Sequence, residues 1–127
     1  MVTVVIGAQW GDEGKGKIID LLAQKADFVV RFHGGPNAGH TIVNNYGKFP
    51  LHLMPSGVFN PKCACIIANG VVIDLEILQG EIVMISKIFP DLETRFFVSP
   101  RAHVILPYHK QLDKVFDRFY QVEGTEG

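Results

Sequence analysis

The run Gln9-Trp10-Gly11-Asp12-Glu13-Gly14-Lys15-Gly16-Lys17 constrains this chain more than any other feature. It follows an apolar run, Val2 to Ile6, and precedes Ile18, Leu21, Leu22 and Ala26, which recur at helical spacing. The apolar run is mostly β-branched, as in a strand buried on both faces. A strand that ends in a glycine-rich, lysine-bearing turn and opens a helix is a cradle for phosphate. Its glycines let backbone N–H groups converge on oxygen, and the helix adds its positive end.

The spacing fits. Four residues separate Gly11 from Gly16, and Lys17 follows. A phosphate loop then normally supplies Ser or Thr to a magnesium ion, and here Ile18 stands in that place. Asp12 is the alternative oxygen ligand. A carboxylate among phosphate-binding glycines is tolerable only if it holds a metal or does chemistry.

The rest of the chain extends this α/β reading. Phe28 to Phe32 is a second strand, so strand, helix and strand form a parallel, right-handed βαβ unit. Thr41–Val43 and Lys48–Leu53, joined by Asn44 to Gly47, read as a hairpin. Cys65 to Ala68 is a third buried strand and Asn69-Gly70 a turn. Asp74 is placed to cap a helix whose apolar positions are Leu75, Leu78, Ile82, Ile85 and Phe89, with Pro90 as its stop. Arg95–Val98 and His103–Leu106 are strand-like. Tyr108, Leu112, Val115, Phe116 and Phe119 form one face of a last helix, and Gln121 to Gly127 reads as loop. The expected fold is P-loop-like α/β, with a mainly parallel sheet flanked by helices and a β-hairpin insertion.

Composition excludes some classes. With 127 residues, 47% hydrophobic and 20% charged, the chain is globular and about one domain in size. A net charge of −1 offers no surface for nucleic acid. No apolar run spans a membrane and no basic leader opens the chain, so the expected location is cytoplasmic. Cys63 and Cys65 are poorly placed for a disulfide with each other and lack further metal ligands, which leaves two reduced thiols at the start of a buried strand.

A second constellation, Gly34-Gly35-Pro36-Asn37-Ala38-Gly39-His40-Thr41, follows the second strand. In an open parallel sheet, ligands bind outside the carboxyl ends of the strands. Both glycine loops should therefore share one edge. There His40 could serve a transferring phosphoryl group and Asn37 a base or second substrate. His33, His52, His103 and His109 have no such context and read as structural or solvated, and Arg31 as locally paired. Two function classes remain open on the residues alone: an enzyme of phosphoryl chemistry, or a non-catalytic nucleotide-binding module on the same scaffold. Asp12 together with His40 favours the enzyme, because a passive binder needs neither. Ile18 argues against a generic P-loop GTPase.

The glycine loop, Asn37 to Thr41 and Leu51-His52-Leu53-Met54-Pro55-Ser56-Gly57 together closely resemble the N-terminal part of adenylosuccinate synthetases. The likeness runs through essentially the whole chain and is weaker after Val72, where Leu75 occupies a position the family often gives to proline. The resemblance implies GTP-dependent ligation of L-aspartate to IMP, a C–N bond-forming step on the route from IMP to AMP. It assigns catalysis to Asp12, as base toward IMP N1, and to His40, which stabilises the phosphoryl group and donates a proton. It assigns GTP binding to Gly11, Asp12, Glu13, Gly14, Lys15, Gly16, Lys17, Gly39, His40 and Thr41. IMP falls to Asp12, Glu13, Gly14, Lys15, Asn37, Ala38, Gly39 and His40. Mg2+ falls to Asp12 and the Gly39 carbonyl. It also implies a homodimer, with an arginine reaching the partner's site from beyond this chain. Segments that hold the IMP phosphate, guanine and aspartate in the family are missing here as well. Residues 1–127 therefore read as the N-terminal part of a GTP/IMP-binding domain, inactive alone.

Overall fold

The computed structural model describes residues 1–7 and 14–120. Its centre is β4 (Ala64–Asp74), an eleven-residue strand that pairs in parallel with three others. β1 (Phe28–Gly34) runs along Ala64 to Val71. β5 (Phe96–Val98) pairs with Cys65 to Ile67, and β6 (His103–Ile105) with Val72 to Asp74. The hairpin stands apart as a two-stranded antiparallel sheet, β2 (His40–Asn44) and β3 (Gly47–Leu51). Three helices complete the order: α1 (Lys15–Ala23), α2 (Leu75–Ser86) and α3 (Pro107–Tyr120).

Burial explains which strands form. Cys65, Ile67, Val71 and Ile73 alternate inward along β4 and are each 2% exposed or less. They meet Leu78 and Ile85 of α2, and Ile42, Phe49 and Leu51 of the hairpin. Asp74 caps α2 as its position predicts, its Oδ1 accepting the N–H groups of Glu76 (3.0 Å) and Ile77 (3.4 Å). Arg95 is buried beneath the hairpin side of the core. It donates to the carbonyls of Val58, Asn60 and Cys63, and its guanidinium lies 5.0 Å from the Phe89 ring centroid. Both cysteines are buried and unbridged. Burial raises the Cys63 thiol pKa, and burial with the neighbouring Cys63 pushes Cys65 up to about 12, which disfavours the thiolate at both.

Two expectations are corrected. Val2 to Ile6 is not a strand, and Val2, Val4 and Ile6 are largely exposed. A parallel strand needs a ladder partner and cover on both faces. Here the side of the sheet bearing Phe28, Val30, Phe32 and Phe97 is itself uncovered, as are Ile18, Leu21 and Leu22 of α1. The local β propensity has nothing to pack against.

Asn69-Gly70 is not a turn either. Both residues lie inside β4, where the pairing slips from Arg31↔Ile67 to His33↔Gly70. Two residues of β4, Ala68 and Asn69, thus face the single Phe32, which is a β-bulge. The bulge brings the Phe32 carbonyl so close that a Cβ on Gly70 would sit 2.4 Å from its oxygen. That neighbour is backbone and cannot swing aside. Gly70→Ala is expected to cost about 1–3 kcal/mol of stability. Urea denaturation of the two proteins checks this, and an unchanged midpoint would contradict it. The loop expected at Gln121 to Gly127 lies outside the described residues.

Candidate functional site

The site forms where α1, the start of β2 and the segment after β3 meet. Gly14 precedes α1 in a left-handed conformation, φ 81°, which a side chain would resist. Lys15, Gly16 and Lys17 make the first turn, with no acidic residue in it and no side-chain cap on the helix start. Among the described residues that end carries positive charge only, from the helix dipole and two ammonium groups. Ile18 is half exposed and supplies no hydroxyl.

His40 packs directly on this turn. A Cβ added to Gly16 would lie 2.9 Å from His40 Cδ2 and 3.1 Å from its Cβ, so glycine is what lets the imidazole reach the helix. His40 Nε2 is 3.0 Å from the hydroxyl of buried Ser56. Asn37, Ala38, Gly39 and Thr41 are exposed around it, and Pro36 is buried. Of the residues singled out from sequence, Gly14, Lys15, Gly16, Lys17 and His40 come together, with Asn37, Ala38, Gly39 and Thr41 on the adjoining loop and strand. Gly11, Asp12 and Glu13 lie outside the described residues.

Three residues with no functional reading from sequence brace this loop. His52 stacks behind Gly39, where an added Cβ would lie 2.8 Å from its Cε1. Its Nδ1 is 3.0 Å from the Pro36 carbonyl. A carbonyl only accepts, so Nδ1 carries the proton. Arg31 is not merely paired locally. Its guanidinium donates to the Gly35 carbonyl (2.8 Å) and to the carbonyl of His52, 21 residues away. Burial lowers the Arg31 pKa, and the Glu81 charge opposes that shift. Glu81 is the third, buried on α2 at 4% exposure. Its carboxylate accepts the N–H groups of His52, Leu53 and Met54.

The signal for Glu81 was present in the sequence. It lies three residues after Leu78 and four before Ile85, on the apolar stripe of α2. An acid at a core position needs buried partners. The other histidines have local surroundings. His109 Nδ1 accepts the Leu106 N–H at 3.0 Å, His33 lies against the Phe32 ring, and His103 is exposed.

Comparison with known proteins decides the family. The model of the adenylosuccinate synthetase family matches residues 4–126. The chain belongs to the adenylosuccinate synthetase family. An adenylosuccinate synthetase of Helicobacter pylori strain P12 is 59% identical over 126 residues, which is 99% of this chain and 30% of that protein. One from Endomicrobium trichonymphae is 52% identical over 122 residues, 96% of this chain and 28% of its own length. Among solved structures, the fully ligated adenylosuccinate synthetase of Plasmodium falciparum superposes with a TM-score of 0.83 at 42% identity, covering 93% of this chain and 27% of its own. A cyanophage S-2L succinoaminodeoxyadenylate synthetase, bound to dGMP and dATP as energy donor, gives 0.67 at 25% identity over 84% of this chain and 30% of its own. The chain therefore spans about 30% of the length of the relatives it matches. The mainly parallel α/β fold expected from sequence is the one observed, and the resemblance on which the family expectation rested is borne out.

Proposed function

We propose that residues 1–127 are the N-terminal part of a GTP/IMP-binding domain in an adenylosuccinate synthetase. The whole enzyme joins L-aspartate to IMP with GTP and releases GDP and phosphate. One observation supports this reading: the His40 imidazole packs on Gly16 in the first turn of α1, as one site built from the α1 N-terminus and the Asn37–Thr41 constellation requires.

In this proposal, Lys15, Gly16 and Lys17 bind GTP phosphate oxygens at the α1 N-terminus, together with Gly11 to Gly14 and with Gly39, His40 and Thr41. Asn37 to His40, with Asp12 to Lys15, line the IMP site. Asp12 takes the proton from IMP N1. The C6 oxygen then attacks the γ-phosphorus of GTP, and the bond to the GDP oxygen breaks, giving 6-phosphoryl-IMP. His40 stabilises the phosphoryl oxygens during transfer. The aspartate amino group adds at C6 and phosphate leaves. Phosphoryl transfer is mainly positioning and charge neutralisation, which these residue types supply.

The donor set fits Mg2+. Asp12 and the Gly39 carbonyl offer hard oxygen ligands, and a magnesium ion fills its other positions with water and phosphate oxygens. Among the described residues no cluster of three or more His, Cys, Asp or Glu builds an all-protein cage, as such an ion requires none. When bound, it neutralises charge on the triphosphate.

A homodimer and a cytoplasmic location complete the proposal; among the described residues no helix is long and apolar enough to cross a membrane. The scaffold does not by itself fix the nucleotide, since the cyanophage neighbour takes dATP.

The test joins these residues to the remainder of the Helicobacter pylori relative. GDP and adenylosuccinate should form only when GTP, IMP and aspartate are all present, and ATP should replace GTP poorly. The 127 residues alone should be inactive. A folded, completed protein that makes no adenylosuccinate would reject the reading.

A further inference from the structure

A carboxylate in a protein core is costly unless several donors replace its water. Glu81 has three successive donors, all from one stretch of backbone. Oε2 accepts the N–H of Met54 at 2.7 Å, both oxygens lie 3.2 Å from the N of Leu53, and Oε1 accepts the N–H of His52. From the other side, Arg31 grips the His52 carbonyl. The peptide run 52–54 is thus clasped between an anion from α2 and a cation from β1. Nothing in the reaction proposed above uses either charge.

What the clasped run does next is the informative part. Its first residue places the His52 ring behind Gly39, with Nδ1 donating to the Pro36 carbonyl. Two residues past its end, the Ser56 hydroxyl meets His40 Nε2. Arg31 also holds the Gly35 carbonyl, at the start of the same loop. The loop and the catalytic imidazole are therefore both braced by a segment whose placement depends on Glu81.

We infer that Glu81, with Arg31 opposite it, is a positioning residue that sets His40 over the α1 N-terminus through the His52–Ser56 segment. This rests on the functional reading above. Glutamine cannot substitute. Its amide keeps one acceptor oxygen and turns two donors toward a row of donors. Lysine cannot replace Arg31, because an ammonium lacks the planar fork that spans two carbonyls.

The test uses the length-completed protein. In Glu81→Gln, kcat for adenylosuccinate formation should fall ~10²-fold, the cost of a catalytic group misplaced by an ångström. KM for GTP and IMP should change no more than about threefold, since the α1 groups that share their binding are untouched. Arg31→Lys should show the same split, and it carries the test if Glu81→Gln fails to fold. In NMR spectra, the imidazole 15N shifts of His40 and His52 should move in the variants while those of His103 do not. Wild-type kcat in the folded variants, a loss confined to KM, or an unmoved His40 signal would each overturn the proposal. An inactive parent protein would instead sink the functional reading, and the His40 signal would still decide this one.

Discussion

Replacing Asp12 by alanine in the length-completed protein is expected to lower kcat by at least about 10²–10⁴-fold, the range spanned by loss of a general base. If Asp12 also holds magnesium as proposed, loss of that ligand pushes toward the upper end. The effect should fall on chemistry, with a melting temperature close to wild type. Asp12→Asn keeps the shape and loses the base, so it should be nearly as impaired. Single-turnover measurement of 6-phosphoryl-IMP formation reads this directly. Turnover near wild type in either variant would end the assignment of Asp12 as base.

The second large effect is expected at His40. Its ring is already fixed by Gly16 on one side and Ser56 on another, so little reorganisation stands between the free site and the transition state. Removing a preorganised donor from developing charge costs about 10²–10³-fold in kcat. His40→Asn should lose that much, with GTP affinity largely kept. The Ser56 contact also bears on which ring nitrogen carries the proton. If the hydroxyl donates to Nε2, the proton sits on Nδ1. A His40→Asn enzyme impaired only in KM would show that the imidazole binds substrate without stabilising the transfer.

Much of this was legible from residue order, and the reasons are local. Asp74 before an apolar stripe announces a capped helix, and α2 begins there. Phe28 to Phe32 is too β-branched and aromatic for anything but strand. His40 and the α1 N-terminus meet through the close approach of the imidazole to Gly16, although the first constellation follows no strand of the sheet.

What could not be read depends on distance along the chain. Gly70 looks like half of an Asn-Gly turn until the Phe32 carbonyl is known to pass beside it. Val2 to Ile6 has the composition of a buried strand but not the neighbours. Glu81 and Arg31 act on backbone 27–29 and 21 residues away, beyond any periodicity. Only the misfit of an acid on an apolar stripe hinted at the first.

The bulge in β4 has a consequence for the whole site. The inward side chains of β4 keep one parity through it, Cys65 and Ile67 before and Val71 and Ile73 after, so what changes is the pairing with β1. A ladder kept in step from Arg31↔Ile67 would set Gly34 against Gly70; the bulge sets it against Val71 instead, with Gly35 beside Val72. Where the second glycine loop leaves the sheet is thus set by a count of residues in a neighbouring strand, as much as by any residue in the loop itself.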